Sequence, residues 1–397
     1  MATMDYKCPS CGAPLSFNPE KQNFVCEYCG SAFTTQQIQS LYAEKEQKET
    51  VNEREVKASE QQRAQAQRKG EDFDEDFMVS YSCPACGAEV ITAESTAATT
   101  CYFCQSPVVL GSRLSGEFKP DSVIPFALTK DKAVDAFMKM CGRKKFLPAG
   151  FASKAQFEKM QGVYFPYWYV DEQMQSSAVA SAKKVRHWTS GNRRYTETSR
   201  FRLYRTGDIN INNVFEEALR DKKSANQNPN QPQSNRAANA QEAMKYLDQY
   251  QSSKRHDMLQ CVHPYDVSKA VPFSMSYLSG FKAEKREVER KDIEGMMTQR
   301  IEEYSKQLLT GTMTGYEGVH LENYNNKIYS QNWRYTLLPV WIVTYKFKGE
   351  ILPFAINGQT GKTYGKLPVA GGKLALWGAV VAAIIFAIAT IGGMLFL

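Results

Sequence analysis

The sequence predicts an α+β chain with two N-terminal rubredoxin-like zinc ribbons, a polar helical spacer, a mixed β-rich body with packed helices, and one C-terminal transmembrane helix. Three observations carry this reading. Eight of the ten cysteines fall into four C-x-x-C pairs, the mid-chain alternates β-type aromatic runs with helical periodicity, and the chain closes on a long uncharged run. The 43% apolar and 12% aromatic content supports a buried core and excludes a disordered chain.

The first ribbon, residues 1–35, carries Cys8, Cys11, Cys26 and Cys29 at C-x2-C-x14-C-x2-C spacing. The second, residues 78–110, repeats that spacing with Cys83, Cys86, Cys101 and Cys104, and both begin C-P-x-C-G-A. Tetrahedral zinc needs four soft ligands, and each C-x-x-C turn presents two thiolates while the intervening residues fold as a hairpin. Two Zn2+ ions are expected, holding ribbons too short for a core of their own. Redox-active pairs are the competing reading, and they need a thioredoxin-like context that neither ribbon has. The last knuckle, "CYFCQ", lacks the glycine that follows the other three pairs, so a less regular turn is expected there. The start "MATMDYKCPS" has no apolar run of signal length, so the thiols are expected in the reducing cytoplasm.

Between the ribbons, Ser31 to Lys69 contains no glycine or proline and is crowded with good helix formers. Residues 36–77 read as a spacer, either a solvent-bridging helix or an unstructured segment, ending in the acidic cluster at 71–77.

The body, 111–368, is mixed. Thr129 can cap a helix that sets Ala133, Val134, Phe137 and Cys141 on one face. "GVYFPYWYVD", 162–171, reads as a buried strand, its Pro166 suggesting an edge or bulge. "YFPYWYVD" and "LLPVWIVT" (337–344) share a pattern, as two related β elements of one sheet would. A polar low-complexity loop at 227–242 divides the region. Val288, Ile293, Met297, Ile301, Tyr304 and Leu308 predict a helix on the sheet from Glu284 to Thr310.

"NGQTGKT", 357–363, lacks the first glycine of a phosphate loop and lies between two strand-like segments. His187, His256, His263 and His320 have no ligand spacing with one another. With no serine elbow, carboxylate pair or dinucleotide fingerprint, the expectation is a protein without catalytic residues. An enzymatic reading would require a pocket joining Cys261 and His263 to other polar groups.

The sharpest charge feature spans 183–205: Lys183, Lys184, Arg186, Arg193, Arg194, Arg200, Arg202 and Arg205 face one glutamate, a local excess equal to the whole chain's +7. With "TSGN" as the turn, this predicts a basic hairpin suited to an anionic surface. A solvated face, single-stranded nucleic acid, lipid headgroups and an acidic protein partner all fit it.

Leu374 to Leu397 runs 24 residues without a charge, long enough for a bilayer core of roughly 30 Å. Lys362, Lys366 and Lys373 precede it and no acid occurs from Ile351 onward, so the positive-inside tendency predicts a single-pass, tail-anchored protein of the cell membrane with its bulk cytoplasmic. Ala379, Ala383 and Ala387 repeat every fourth position, compatible with helix association.

Taken together, "CPSCG…CEYCG", "GVYFPYWYVD", "YLSGF" (277–281) and "LPVWIVTY" with "NGQTGKTYG" resemble a bacterial family labelled as transcription-factor-IIB-type zinc-ribbon membrane proteins. That resemblance implies an adaptor in envelope stress, with phage-shock-protein-A-like or band-7-type partners. The expectation is therefore a membrane-anchored adaptor that recruits proteins, with tethered nucleic-acid binding as the alternative.

Overall fold

The computed structural model describes residues 6–51, 78–83, 89–93, 96–101, 106–110, 114, 118–148, 151, 160–219, 258–347, 350–365 and 367–395. The loop 227–242, the acidic cluster 71–77, most of the spacer, Cys86, Cys104, His256 and Lys366 lie outside these residues. Strands β1 (Ser16–Asn18), β2 (Asn23–Val25) and β3 (Ala32–Phe33) lead into helix α1 (Thr35–Val51). Then come β4 (Met78–Ser82), β5 (Glu89–Ala93), β6 (Thr96–Thr100) and β7 (Pro107–Val109). The first half of the body holds β8 (Ser122–Val123), α2 (Lys130–Gly142), β9 (Gln161–Ser190) and β10 (Arg193–Glu217). The second holds β11 (Val271–Pro272), β12 (Lys282–Glu284), α3 (Arg290–Gly311), β13 (Glu317–Phe347), β14 (Glu350–Asn357), β15 (Thr363–Gly365) and the final helix α4 (Gly371–Leu395).

Ten strands form one mixed sheet, ordered β11-β8-β13-β9-β12-β6-β7, with β10 also on β9, β14 on β13 and β15 on β14. The hairpin β6–β7 of the second cysteine segment is thus part of the body's sheet, joined through Ala98 opposite Ala283. The apolar run of "GVYFPYWYVD" reflects burial on both faces. On one face Tyr164, Trp168 and Val170 pack with Phe137 of α2 and with Ile293, Met297 and Ile301 of α3. On the other, Val163, Phe165, Tyr167 and Tyr169 pack with Met258, Leu259, Val262 and Tyr265.

The two related segments meet at the centre. β9 and β13 pair antiparallel with Phe165 opposite Leu338, which sets Tyr164 against Pro339 and Pro166 against Leu337. Each half repeats one arrangement around that point: short strand, helix, long strand, hairpin partner. The short strands are exchanged, since β8 of the first half runs parallel to β13 and β12 of the second runs parallel to β9. The indoles follow the same exchange. Trp341 Nε1 donates to the Leu128 carbonyl at 3.0 Å and Trp168 Nε1 to the Val288 carbonyl at 2.9 Å, each just before the N-cap of a helix.

Pro166 therefore lies in a central strand rather than at an edge. It falls between the residues of β9 that pair β12 (Val163, Tyr164) and those that pair β10 (from Tyr167), where the missing N–H faces a seam between neighbours. Its carbonyl still accepts from the Ala218 amide at 2.9 Å. Pro339 repeats this on β13, accepting from the Gly358 amide at 2.8 Å between the pairing of β8 and that of β14.

Thr129 caps α2 as its sequence suggests, its side chain accepting from the Lys132 amide, with Ala133, Phe137 and Cys141 buried. On α3 the buried stripe is Ile293, Met297, Ile301, Ser305 and Leu309, while Tyr304 and Leu308 are exposed. The stripe keeps a strict four-residue step because Ser305 is accommodated at its fourth position, donating its hydroxyl to the Glu302 carbonyl. β14 and β15 form the hairpin expected around "NGQTGKT", with the buried Asn357 accepting from the Gln359 and Thr360 amides at 2.8 Å.

One buried imidazole carries a stability consequence. His263 stacks on Phe215 at 3.8 Å, meets Tyr167 and Tyr265 edge-on, and its Nε2 has no hydrogen-bond partner among the described residues. Burial, and secondarily the Lys362 cation, hold its pKa down at about 3. The folded chain keeps the ring neutral while the unfolded chain takes up a proton below about 6.5, so stability is lost as pH falls from there toward 3. Between pH 7 and pH 5 this contribution should fall by about 2 kcal/mol. Denaturant unfolding of the full chain in detergent measures it, and His263→Phe should flatten the profile relative to wild type; parallel profiles would refute the assignment.

Candidate metal centre

The N-terminal unit is organised by two C-x-x-C turns. Gly12 and Gly30, at φ 75° and 72°, let each chain reverse so that their amides donate to the carbonyls of Cys8 (2.8 Å) and Cys26 (2.9 Å). The β1–β2 hairpin, with Ser16 opposite Val25, brings the turns together. All four sulfurs of Cys8, Cys11, Cys26 and Cys29 lie within 4.8 Å of one another, close enough to hold a metal ion. Cys8 Sγ is 3.6 Å from Cys29 Sγ, and Cys11 Sγ is 3.5 Å from Cys26 Sγ. A tetrahedron with metal–sulfur bonds of about 2.3 Å has edges of about 3.8 Å, so the donor set fits four-coordination.

Electrostatics favour a cation at its centre. The Ser31 hydroxyl, followed by the Ser31 backbone, pulls the Cys29 thiol down to about 6. The Ala13 backbone also lowers Cys11, but the neighbouring thiols and burial outweigh it and push Cys11 up to about 12. Four thiolates this close cannot all ionise against one another; a bound divalent ion removes the conflict.

The unit is docked on the body. Its small core of Tyr6, Leu15, Phe17, Phe24, Ile38 and Tyr42 includes two residues from the first turns of α1. Phe17 meets Tyr277 at 5.3 Å, the Ser279 hydroxyl donates to the Leu15 carbonyl at 2.5 Å, and the Phe17 amide donates to the Ser279 carbonyl at 3.2 Å. Gly280 is at φ +90°, and a Cβ there would stand 3.3 Å from Ser16. "YLSGF" is thus the platform on which the cysteine unit rests, a role invisible in the sequence except as a glycine among apolar neighbours. Gln22 adds a hydrogen bond to the Phe126 carbonyl at 2.7 Å. What stays exposed is the outer turn, where Cys11 and Cys29 are accessible and Tyr28 is 80% exposed.

Of the second cysteine set, Cys83 and Cys101 are described, both buried beside Val108 and Leu110. The Cys101 amide donates to the Ser106 carbonyl at 2.9 Å, matching Cys26 to Ser31 in distance and spacing. Cys86 and Cys104 lie outside the described residues. Cys261 is exposed and His263 buried, with no hydrogen bond joining them among the described residues. His187 and His320 are exposed.

The basic residues lie on an arm where β9 and β10 extend as a hairpin. Its turn is Gly191–Asn192, with Gly191 at φ 59°. Pairing register divides the cations between both faces: Lys184, Arg186, Arg193 and Arg205 on one, Lys183, Arg194, Arg200 and Arg202 on the other. Arg205 is half-buried and the other seven are exposed. Arg202 pairs with Glu322 at 3.4 Å; among the described residues the other seven make no ion pair. Trp188 and Tyr195 stack at 5.5 Å near the tip.

Helix α4 is long and apolar enough to cross a membrane over Gly371–Thr390, and that stretch is unburied by the rest of the chain.

A direct check of the centre is metal analysis of the purified chain. Cys26→Ser, at a buried ligand, should lower bound metal by about one equivalent relative to wild type, with Cys261→Ser leaving it unchanged. Equal metal content in wild type and Cys26→Ser would refute the site.

A scan against models of known protein families finds no match. No solved structure matches the chain. Among curated proteins, it is 30% identical over 374 residues to the protein described as "Uncharacterized protein YdjG" of Bacillus subtilis (strain 168), covering 94% of this chain and 93% of that one. The chain belongs to the family of that Bacillus subtilis protein.

Proposed function

We propose that the chain is a single-pass membrane adaptor of the cytoplasmic face, whose two zinc ribbons recruit protein partners in the envelope-stress response. The observation that carries this is a compact four-thiol centre braced against the body on one side and open on the other, in a chain with an exposed membrane-length helix. A centre so braced is a rigid presentation device. Zinc fixes the loops, and Tyr28 at the tip of the outer turn is the kind of exposed aromatic that anchors a protein contact. The Cys83–Cys104 segment holds the second zinc in the same way, supported by the matching Cys101–Ser106 hydrogen bond. Phage-shock-protein-A-like and band-7-type proteins are the partners this reading selects.

Affinity purification of the membrane-inserted chain tests it. Tyr28→Ala should cut captured partner roughly tenfold or more while metal content and insertion stay at wild-type level. Cys8→Ser should abolish capture, and unchanged capture by both variants would overturn the adaptor reading.

A second reading, membrane-tethered binding of single-stranded nucleic acid, is favoured by one feature of the arm. Among the described residues seven of its eight cations make no ion pair, and the Trp188–Tyr195 stack near its tip is available to bases. Salt-dependent binding of an oligonucleotide, weakened by Lys183→Gln with Arg200→Gln and Arg202→Gln, is its signature. Absence of binding at low salt would remove it.

A further inference from the structure

Folding brings a distant loop to the root of α4. After α2 the chain reads Arg143, Lys144, Lys145, Phe146, with all three cations exposed. The Ala370 amide donates to the Phe146 carbonyl at 2.7 Å, and Lys373 Nζ donates to the Leu147 carbonyl at 2.8 Å. Phe146 meets the Trp377 ring edge-on at 6.3 Å, and Lys145 Nζ lies 5.3 Å from the centre of that ring. The loop is therefore held at the level of Trp377, more than 220 residues later in sequence. From Trp377 to Leu395 the helix rises about 27 Å, close to the roughly 30 Å of a bilayer's hydrocarbon core. That puts Trp377 at the boundary and the three cations at headgroup depth. Among the described residues none of the three has an ion-pair partner.

We infer that Arg143, Lys144 and Lys145, together with Lys373, form a collar around the base of α4 that binds the phosphates of anionic phospholipids in the leaflet the helix enters. This rests on α4 spanning the membrane. Lys373 and Lys145 are pre-positioned by their contacts to Leu147 and Trp377, so a lipid phosphate meets an ordered set of donors rather than free side chains. The basic arm is a separate feature, since its cations lie in β9 and β10 and these lie in the loop after α2.

The test uses the full chain reconstituted into nanodiscs of equal phosphatidylglycerol and phosphatidylcholine, then transferred to mild detergent, with retained lipid counted by mass spectrometry. Wild type should retain phosphatidylglycerol in excess. Arg143→Gln with Lys144→Gln and Lys145→Gln should reduce that excess by roughly fivefold or more. Lys144→Arg with Lys145→Arg should keep it, as should the arm variant Lys183→Gln with Lys184→Gln and Arg186→Gln. Undiminished excess in the triple loop variant, or loss of excess in the arm variant alone, overturns the collar. Equally tight binding of soluble glycerophosphoglycerol by the detergent-solubilised chain also overturns it, since that marks a free-anion site. A chain that fails to enter the nanodisc overturns the spanning role of α4 and the collar with it, whereas entry without phosphatidylglycerol excess overturns the collar alone.

Discussion

Everything in the body hangs on the antiparallel meeting of β9 and β13 at Phe165 and Leu338. That pairing fixes which side chains face α2 and α3 and which face the segment around Tyr265, because a slip of one residue would turn one strand inside out relative to the other. The two prolines act with it. Each removes a donor where one neighbouring strand hands over to the next, so neither proline presents an N–H to its seam. The two indoles then bind the carbonyls ahead of each helix, tying helix starts to the sheet centre.

The repetition is not perfect, and the difference is chemical. Where Phe126 packs on Trp341 in one half, the buried Arg286 occupies the matching place beside Trp168, with the Tyr335 ring nearby and Glu289 at 3.0 Å. Its guanidinium is enclosed by rings and donates through Nε and one Nη to the Glu289 carboxylate. On the Phe126 side the room goes to the cysteine unit, whose Gln22 reaches the Phe126 carbonyl. The four-cysteine unit and the sheet are thus mechanically continuous through "YLSGF" and Phe126.

Much of this was legible in the residues because local chemistry leaves local marks. Four-cysteine spacing, a Thr cap, an uncharged run and a Pro-x-Trp-x-Val repeat each name their own geometry. The hairpin around Gly191–Asn192 was readable for the same reason. What the sequence hid is nonlocal. Nothing in "YLSGF" says that Ser279 will hold Leu15, and nothing in Arg143 to Phe146 says that Trp377 will lie beside it. Pro166 misleads as an edge signal because the seam that tolerates it is built by β12 and β10, elements far apart in sequence. The stripe of α3 shifts from Tyr304 and Leu308 to Ser305 and Leu309 because the Ser305 hydroxyl is satisfied by the Glu302 carbonyl of its own helix and by the Tyr324 hydroxyl of β13.

The exchanged short strands bear on how the chain comes to be folded. β12 must join β9 across more than a hundred residues, and β8 must join β13 across about two hundred, so neither half can complete its sheet from its own residues. During synthesis β9 can zip with β10 at once, while its other edge waits for β13. A 30-residue strand with one open edge is a template for wrong partners. The dense charge on the far part of this hairpin sets like charge against like on any copy that approaches that end, which disfavours edge-to-edge pairing there.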